Sequence, residues 1–103
     1  MNTKGREYNY IGELTIKRSR VLKEENLPRD DTVHWLFLII GKRRFTFFYK
    51  IEKSSEAAYG MPFSIQMSFI MDEIKNVIKI NNTYEVWRAE EPIGTVKIIN
   101  VLE

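Results

Sequence analysis

The segment from Met61 to Met71 constrains the fold more than any other part of the chain, because its apolar residues recur at every second position. A period of two places alternate side chains on opposite faces of an extended strand, and a helix cannot produce it. The residues predicted to share the inward face are Met61, Phe63, Ile65, Met67, Phe69 and Met71. The sequence therefore predicts a half-buried β-strand here and a mostly β fold around it.

Two apolar runs on either side of a short glycine-containing turn predict a β-hairpin. The first run, 32–40, is apolar on both faces, which is typical of a strand that is buried on two sides or that faces a partner. The turn is predicted at 41–44, and the second run at 45–51 alternates again. Its residues predicted to share one face are Phe45, Phe47, Tyr49 and Ile51.

Shorter patterns place the remaining elements. Further strands are predicted at 8–17, where Leu14 and Ile16 share one face of a half-buried strand, and at 83–88 and 93–101. Loops or turns are predicted at 21–31, 52–60, 72–82 and 89–92. Five or six short strands without a long helix imply an all-β fold, either an antiparallel barrel or a sandwich.

Length and composition limit the class of protein. The 103 residues suffice for one core but not for two, so we expect a single domain with residues 1–7 flexible. The absence of cysteine excludes disulfides and thiolate metal sites. No signal-peptide core opens the chain, and its longest apolar run, 35–40, is too short to span a membrane. We expect a cytoplasmic protein, of bacterial type, that does not enter the membrane.

Catalytic chemistry finds little support in the sequence. His34 is the only histidine, and no serine in an activated context accompanies it, whereas a general base needs an orienting acid and a nearby nucleophile. Adjacent carboxylates fall in predicted loops, where such pairs are usually solvated. No Gly-x-x-x-x-Gly-Lys-Ser/Thr phosphate loop is present. We therefore expect a binding protein without enzymatic activity, metal or cofactor.

Charge is divided unevenly along the chain. Residues 1–53 contain 12 Lys and Arg against 7 Asp and Glu, whereas residues 54–103 contain 4 against 7. A uniform basic coat for nucleic acid would not give this division, but a domain with one positive and one negative region would.

Basic residues lie at the ends of two predicted strands and form one candidate site. If the two strand ends meet at one rim, a cationic patch would lie near Trp35, Phe48 and Tyr49, able to hold phosphates while exposed rings stack on bases. The candidate nucleic-acid-binding residues are Lys17, Arg18, Arg20, Lys42, Arg43 and Arg44. The same charges could grip an acidic protein surface, or they could be solvated charges that protect strand ends from aggregation.

Residues 61–102 carry a family resemblance. An alternating strand over Pro62–Phe69 leads through a turn to Tyr84-x-Val86-x-Arg88, and Ile93-Gly94 follows in the last strand. This sequence resembles the C-terminal β-barrel domain of elongation factor Tu and its relatives. In that family a strand of the pattern Phe/Tyr-x-Ile/Val-x-Arg precedes a last strand in which a glycine follows an aliphatic residue. The resemblance implies a barrel rather than a sandwich. In the parent factor this domain contacts tRNA and protein partners, and none of those contacts transfers to individual residues of this chain. Physically, a glycine in the last strand would let the barrel bend or another backbone approach closely.

These observations lead to two hypotheses of function. The first is a small β-barrel that binds and inhibits or neutralises a protein partner, as an immunity protein does for a toxin. Many such toxins are nucleases with basic faces, and a basic face would bind the acidic half of the chain. The candidate protein-binding residues are then Asp72, Glu73, Glu85, Glu90 and Glu91. The alternative is an RNA- or tRNA-binding accessory domain that uses the basic set.

Overall fold

Six antiparallel strands form a closed barrel, in the order β1-β4-β3-β2-β5-β6. The computed structural model describes residues 8–17 and 31–102, with the backbone alone for 31–35. The strands are β1 (Tyr10–Ile16), β2 (Asp31–Ile40), β3 (Arg43–Ile51), β4 (Phe63–Phe69), β5 (Thr83–Arg88) and β6 (Glu91–Val101). The predicted all-β fold is confirmed, and the barrel alternative is the one adopted. Among the described residues no helix is long and apolar enough to cross a membrane.

The core fills the inside of the barrel with the alternate residues of every strand. The largest fully buried side chains are Phe45, Phe47, Leu14, Leu36, Leu38, Ile65, Met67, Ile93, Ile98, Val86 and Val96. The alternation predicted for β1, β3 and β4 is therefore the alternation between core and outer surface. Burial also raises the pKa of the Tyr10 hydroxyl, because the charged form loses solvation.

Met61 does not follow the pattern to which the sequence assigned it. Apolar residues occupy every second position from Met61 onward, but β4 begins only at Phe63, which pairs with Leu14 of β1. Met61 lies in the preceding turn and is 63% exposed, so the prediction that it faces the core is wrong. At the other end Phe69 and Met71 are half-buried and pack against the core.

The β2–β3 hairpin is confirmed, with a tighter turn than expected. Ile40 pairs with Arg43, so only Gly41 and Lys42 form the turn and Arg43 and Arg44 belong to β3. Gly41 has a φ of 61°, and a glycine with positive φ at the first turn position is typical of two-residue hairpins.

The β5–β6 turn is also shorter than predicted. Arg88 pairs with Glu91, which leaves two residues in the turn, and Ala89 adopts a φ of 52°. The strand β6 therefore begins at Glu91 and not at Ile93. A register shift follows, because Val86 pairs with Gly94 and Trp87 with Pro92, and this bulge accommodates the proline within the strand.

Gly94 allows two strands to approach at the seam between β1 and β6. It pairs with Ile16, and a Cβ added to it would lie 1.9 Å from the carbonyl oxygen of Thr15. Of the two roles expected for this glycine, close backbone approach is the one the geometry supports.

The segment between β4 and β5 closes one end of the barrel. Within the loop predicted at 72–82 a 3-10 helix runs over Asp72–Asn76, and its Ile74 is buried in the core. Asn81 has a φ of 70°, as the predicted turn requires. Because β4 ends and β5 begins here, this is also the end that carries the β2–β3 hairpin, and we call it the hairpin end.

Some expectations lie outside the described residues. They concern the flexibility of 1–7, the loop at 21–30, and the side chains of Arg18, Arg20, His34 and Trp35. Asp31, expected at the end of that loop, is the first residue of β2.

Candidate functional site

The outer face of β3, β2 and β5 carries two cross-strand rows of side chains. In the first row Ile39 lies between Arg44 and Glu85. In the second row Phe37 lies between Thr46 and Trp87. All six point away from the core, because their neighbours along the strands are buried inside the barrel. We call this surface the β3–β2–β5 face.

Arg44 bridges the two rows of the face. The Cζ atom of its guanidinium lies 5.6 Å from the centre of the Phe37 ring and 5.4 Å from that of the Trp87 ring. Both distances are within the range of cation–π attraction. The guanidinium also donates to the Oε1 and Oε2 atoms of Glu90 at 3.4 and 3.5 Å, and to the carbonyl oxygen of Ala89 at 3.4 Å. The Arg44 side chain thus lies across the face from β3 to the β5–β6 turn.

A second carboxylate holds the indole of the face. The Nε1–H of Trp87 donates a hydrogen bond to Glu85. The two residues are two positions apart on β5 and therefore project on the same side of the sheet. This bond fixes the indole with its ring beside Arg44. The centre of the face is apolar, and the carboxylates of Glu85 and Glu90 lie at its margin.

The hairpin end carries a separate group of charges. Arg43 donates to Glu73 at 2.8 Å, and its guanidinium lies 4.8 Å from the centre of the Phe45 ring. The side chains of Arg43 and Glu73 are 50% and 60% exposed, so their ion pair contributes at most about 1 kcal/mol. Lys42 and Asp72 are exposed in the same region.

Among the described members of the predicted basic set, Lys17 does not meet Lys42, Arg43 and Arg44 at one rim. β1 ends beside the start of β4, where Leu14 pairs with Phe63, and β3 ends at the same place, where Ile51 pairs with Ile65. The start of β3 is therefore at the opposite end, so Lys17 and the 41–44 turn lie at opposite ends of the barrel.

Two of the three rings expected beside the basic patch, those of Phe48 and Tyr49, are not available for stacking. Phe48 is 5% and Tyr49 is 3% exposed. Tyr49 belongs to the core cluster, whereas Phe48 is on the outer side of β3 and is buried nevertheless. Neither ring presents a face to a base.

The predicted acidic set also divides into groups. Glu85 and Glu90 flank the β3–β2–β5 face, and Asp72 and Glu73 lie at the hairpin end. Glu91 is half-buried at the start of β6, paired in register with Arg88, which is itself buried.

The ring cluster of the site was not predicted as such from the sequence. The signal for it was the apolar character of both faces of 32–40, since Phe37 and Ile39 occupy the outer side of β2. The pairing of Phe37 with Trp87 depends on β2 lying beside β5, and the paired residues of these strands are 46 to 52 positions apart along the chain. Within the described part of the chain, no three His, Asp or Glu side chains come together as they would around a metal ion.

Comparison with known proteins does not assign the chain to a family. No protein-family model matches the chain, and no curated protein matches its sequence.

Proposed function

We propose that this barrel is a non-catalytic binding module that binds a protein and inhibits or neutralises it, as an immunity protein does for a toxin. The observation that carries the proposal is the β3–β2–β5 face, with an apolar centre of Phe37, Ile39 and Trp87 and a charged margin. Protein interfaces share this arrangement, since aromatic residues and arginine are enriched at their centres and polar residues at their rims.

The charge of the margin favours a basic partner. Two carboxylates, Glu85 and Glu90, accompany a single guanidinium, that of Arg44. Glu90 has 87% of its side chain exposed and is therefore accessible to a partner. Complementary charge at a rim accelerates association more than it strengthens binding. A toxin with a basic surface, such as a nuclease, fits this requirement.

The arrangement of the basic residues disfavours the RNA alternative. Arg43 and Arg44 are each paired with a carboxylate of the same chain, and Lys17 is at the other end of the barrel from Arg43. A site for single-stranded nucleic acid requires a continuous positive groove with exposed rings along it. The ring cluster at Trp87 is instead flanked by carboxylates, which would repel phosphates.

Capture from the native host tests the proposal. The tagged protein is incubated with extract treated with ribonuclease and deoxyribonuclease, and retained proteins are identified by mass spectrometry. We expect one stoichiometric protein partner whose activity is lost when the barrel is added. Glu90→Lys is expected to slow its association roughly tenfold at low salt, because the new charge repels a basic surface.

A matched charge reversal serves as the control. Glu13 is exposed on β1, which is three strands from β2 in the six-stranded barrel and therefore on its opposite side. Glu13→Lys is expected to leave association unchanged. Proteins retained only from a parallel extract without nuclease treatment, and lost there in Lys42→Glu with Arg43→Glu, would contradict the proposal and favour the RNA alternative.

A further inference from the structure

The surroundings of the Arg44 side chain form a complete recognition site for a guanidinium group. They provide two aromatic rings, a carboxylate with both oxygens turned toward the guanidinium, and a backbone carbonyl. Planar stacking on rings and two parallel bonds to a carboxylate are the two interactions by which arginine differs from lysine. An anion would be repelled by Glu85 and Glu90.

Arg44 occupies this site loosely. Its bonds to Glu90 and Ala89 measure 3.4 to 3.5 Å, whereas strong bonds between guanidinium and carboxylate measure about 2.7 to 2.9 Å. Its side chain is 40% exposed. The physical reason is the tether: Arg44 projects from β3, and β2 lies between β3 and the strand that carries Trp87. An arginine that arrives from solvent has no such tether and can approach Glu90 more closely.

We infer that the site formed by Phe37, Trp87 and Glu90 takes an arginine side chain of the partner protein, and that Arg44 fills it only in the free chain. This inference rests on the proposed function and specifies the chemistry of the partner's contact. The exchange retains both ring contacts and shortens the bonds to Glu90, while Arg44 moves into solvent. Arg44 is therefore an internal competitor for the site rather than an anchor of the complex.

The direction in which binding changes when Arg44 is removed distinguishes a competitor from an ordinary interface residue. Removing an anchoring arginine weakens binding, whereas removing a competitor strengthens it. In Arg44→Ala we expect the affinity for N-acetylarginine methylamide to be roughly tenfold higher than in the unmodified protein, as loss of competition at two rings implies. The probe is titrated into ¹⁵N-labelled protein, and binding is followed by the indole N–H signal of Trp87, identified by its loss in Trp87→Phe.

Two matched comparisons make the titration specific. N-acetyllysine methylamide is expected to bind more weakly than the arginine probe, because an ammonium group cannot stack as a plane. Glu90→Gln in the Arg44→Ala background is expected to abolish the gain. If Arg44→Ala proves unstable by thermal melting, Arg44→Lys retains the charged stem and is expected to show a smaller gain of the same sign.

Equal affinities in Arg44→Ala and the unmodified protein would overturn the inference, as would an equal response to both probes or a response confined to the Trp35 indole. The outcome is independent of the capture experiment, because the probe is a small molecule. If no protein partner is captured but the arginine probe binds as expected, the proposed function is overturned and the guanidinium site stands. If a protein partner is captured but Arg44→Ala does not gain affinity for the probe, the guanidinium site is overturned and the proposed function stands.

Discussion

Gly94→Ala is expected to destabilise the protein by about 3 kcal/mol or more, far beyond the usual effect of a single added methyl group. The new Cβ would lie 1.9 Å from the carbonyl oxygen of Thr15 and 2.9 Å from the Cα of Ile16. These are backbone atoms of β1, so they cannot move without separating the two strands that close the barrel. The free energy of unfolding, measured by denaturant titration, checks this expectation.

Gly12→Ala provides the matched comparison within the same seam. Its Cβ would also be crowded, at 2.8 Å from the Sδ of Met67 and 2.9 Å from the Cγ2 of Val96. These are side-chain atoms, and the methionine can adopt another rotamer, so we expect a smaller loss of about 1 to 2 kcal/mol. A loss at Gly94 no larger than that at Gly12 would contradict the close approach of β1 and β6.

Ile65→Ala is expected to lower the free energy of unfolding by about 2 to 5 kcal/mol, as for other truncations of buried aliphatic residues. Ile65 is fully buried in the middle of β4, where it pairs with Gly12 on one side and Ile51 on the other. The truncation leaves a cavity between strands whose positions are fixed by pairing on both sides, so collapse around it is limited.

Met61→Ala is the control for Ile65→Ala, because both residues belong to one alternating sequence pattern. Met61 is 63% exposed, and we expect its truncation to change the free energy of unfolding by less than about 0.5 kcal/mol. Similar losses at the two positions would mean that the strand begins at Met61 and that Met61 contributes to the core.

The strands could be predicted because the period of two directly reflects which side of the sheet is buried. Phe63, Ile65 and Met67 face the core as expected, and the bounds of 83–88 agree with those of β5. The pattern failed at its ends. An apolar residue such as Met61 continues the alternation after strand pairing has stopped, because the period depends on residue type and not on hydrogen bonds.

The site was less accessible to prediction, because it depends on which strands are neighbours. Arg44 and Glu90 are 46 residues apart along the chain, and Arg43 and Glu73 are 30 apart. Acidic and basic residues that the sequence separates into two halves are therefore partners in the fold. The order β3-β2-β5 brings Arg44 to Trp87, and no local pattern encodes that order.

Site-specific photocross-linking in the native host tests most directly the claim that the β3–β2–β5 face binds a protein. Benzoylphenylalanine is placed at Thr46, at the edge of the face, or at Glu13, on the opposite side of the barrel. We expect irradiation to join the Thr46 variant to one protein of defined mass and to give no such product from the Glu13 variant. Cross-links to protein from Glu13 alone, or to nucleic acid from Thr46, would contradict the claim.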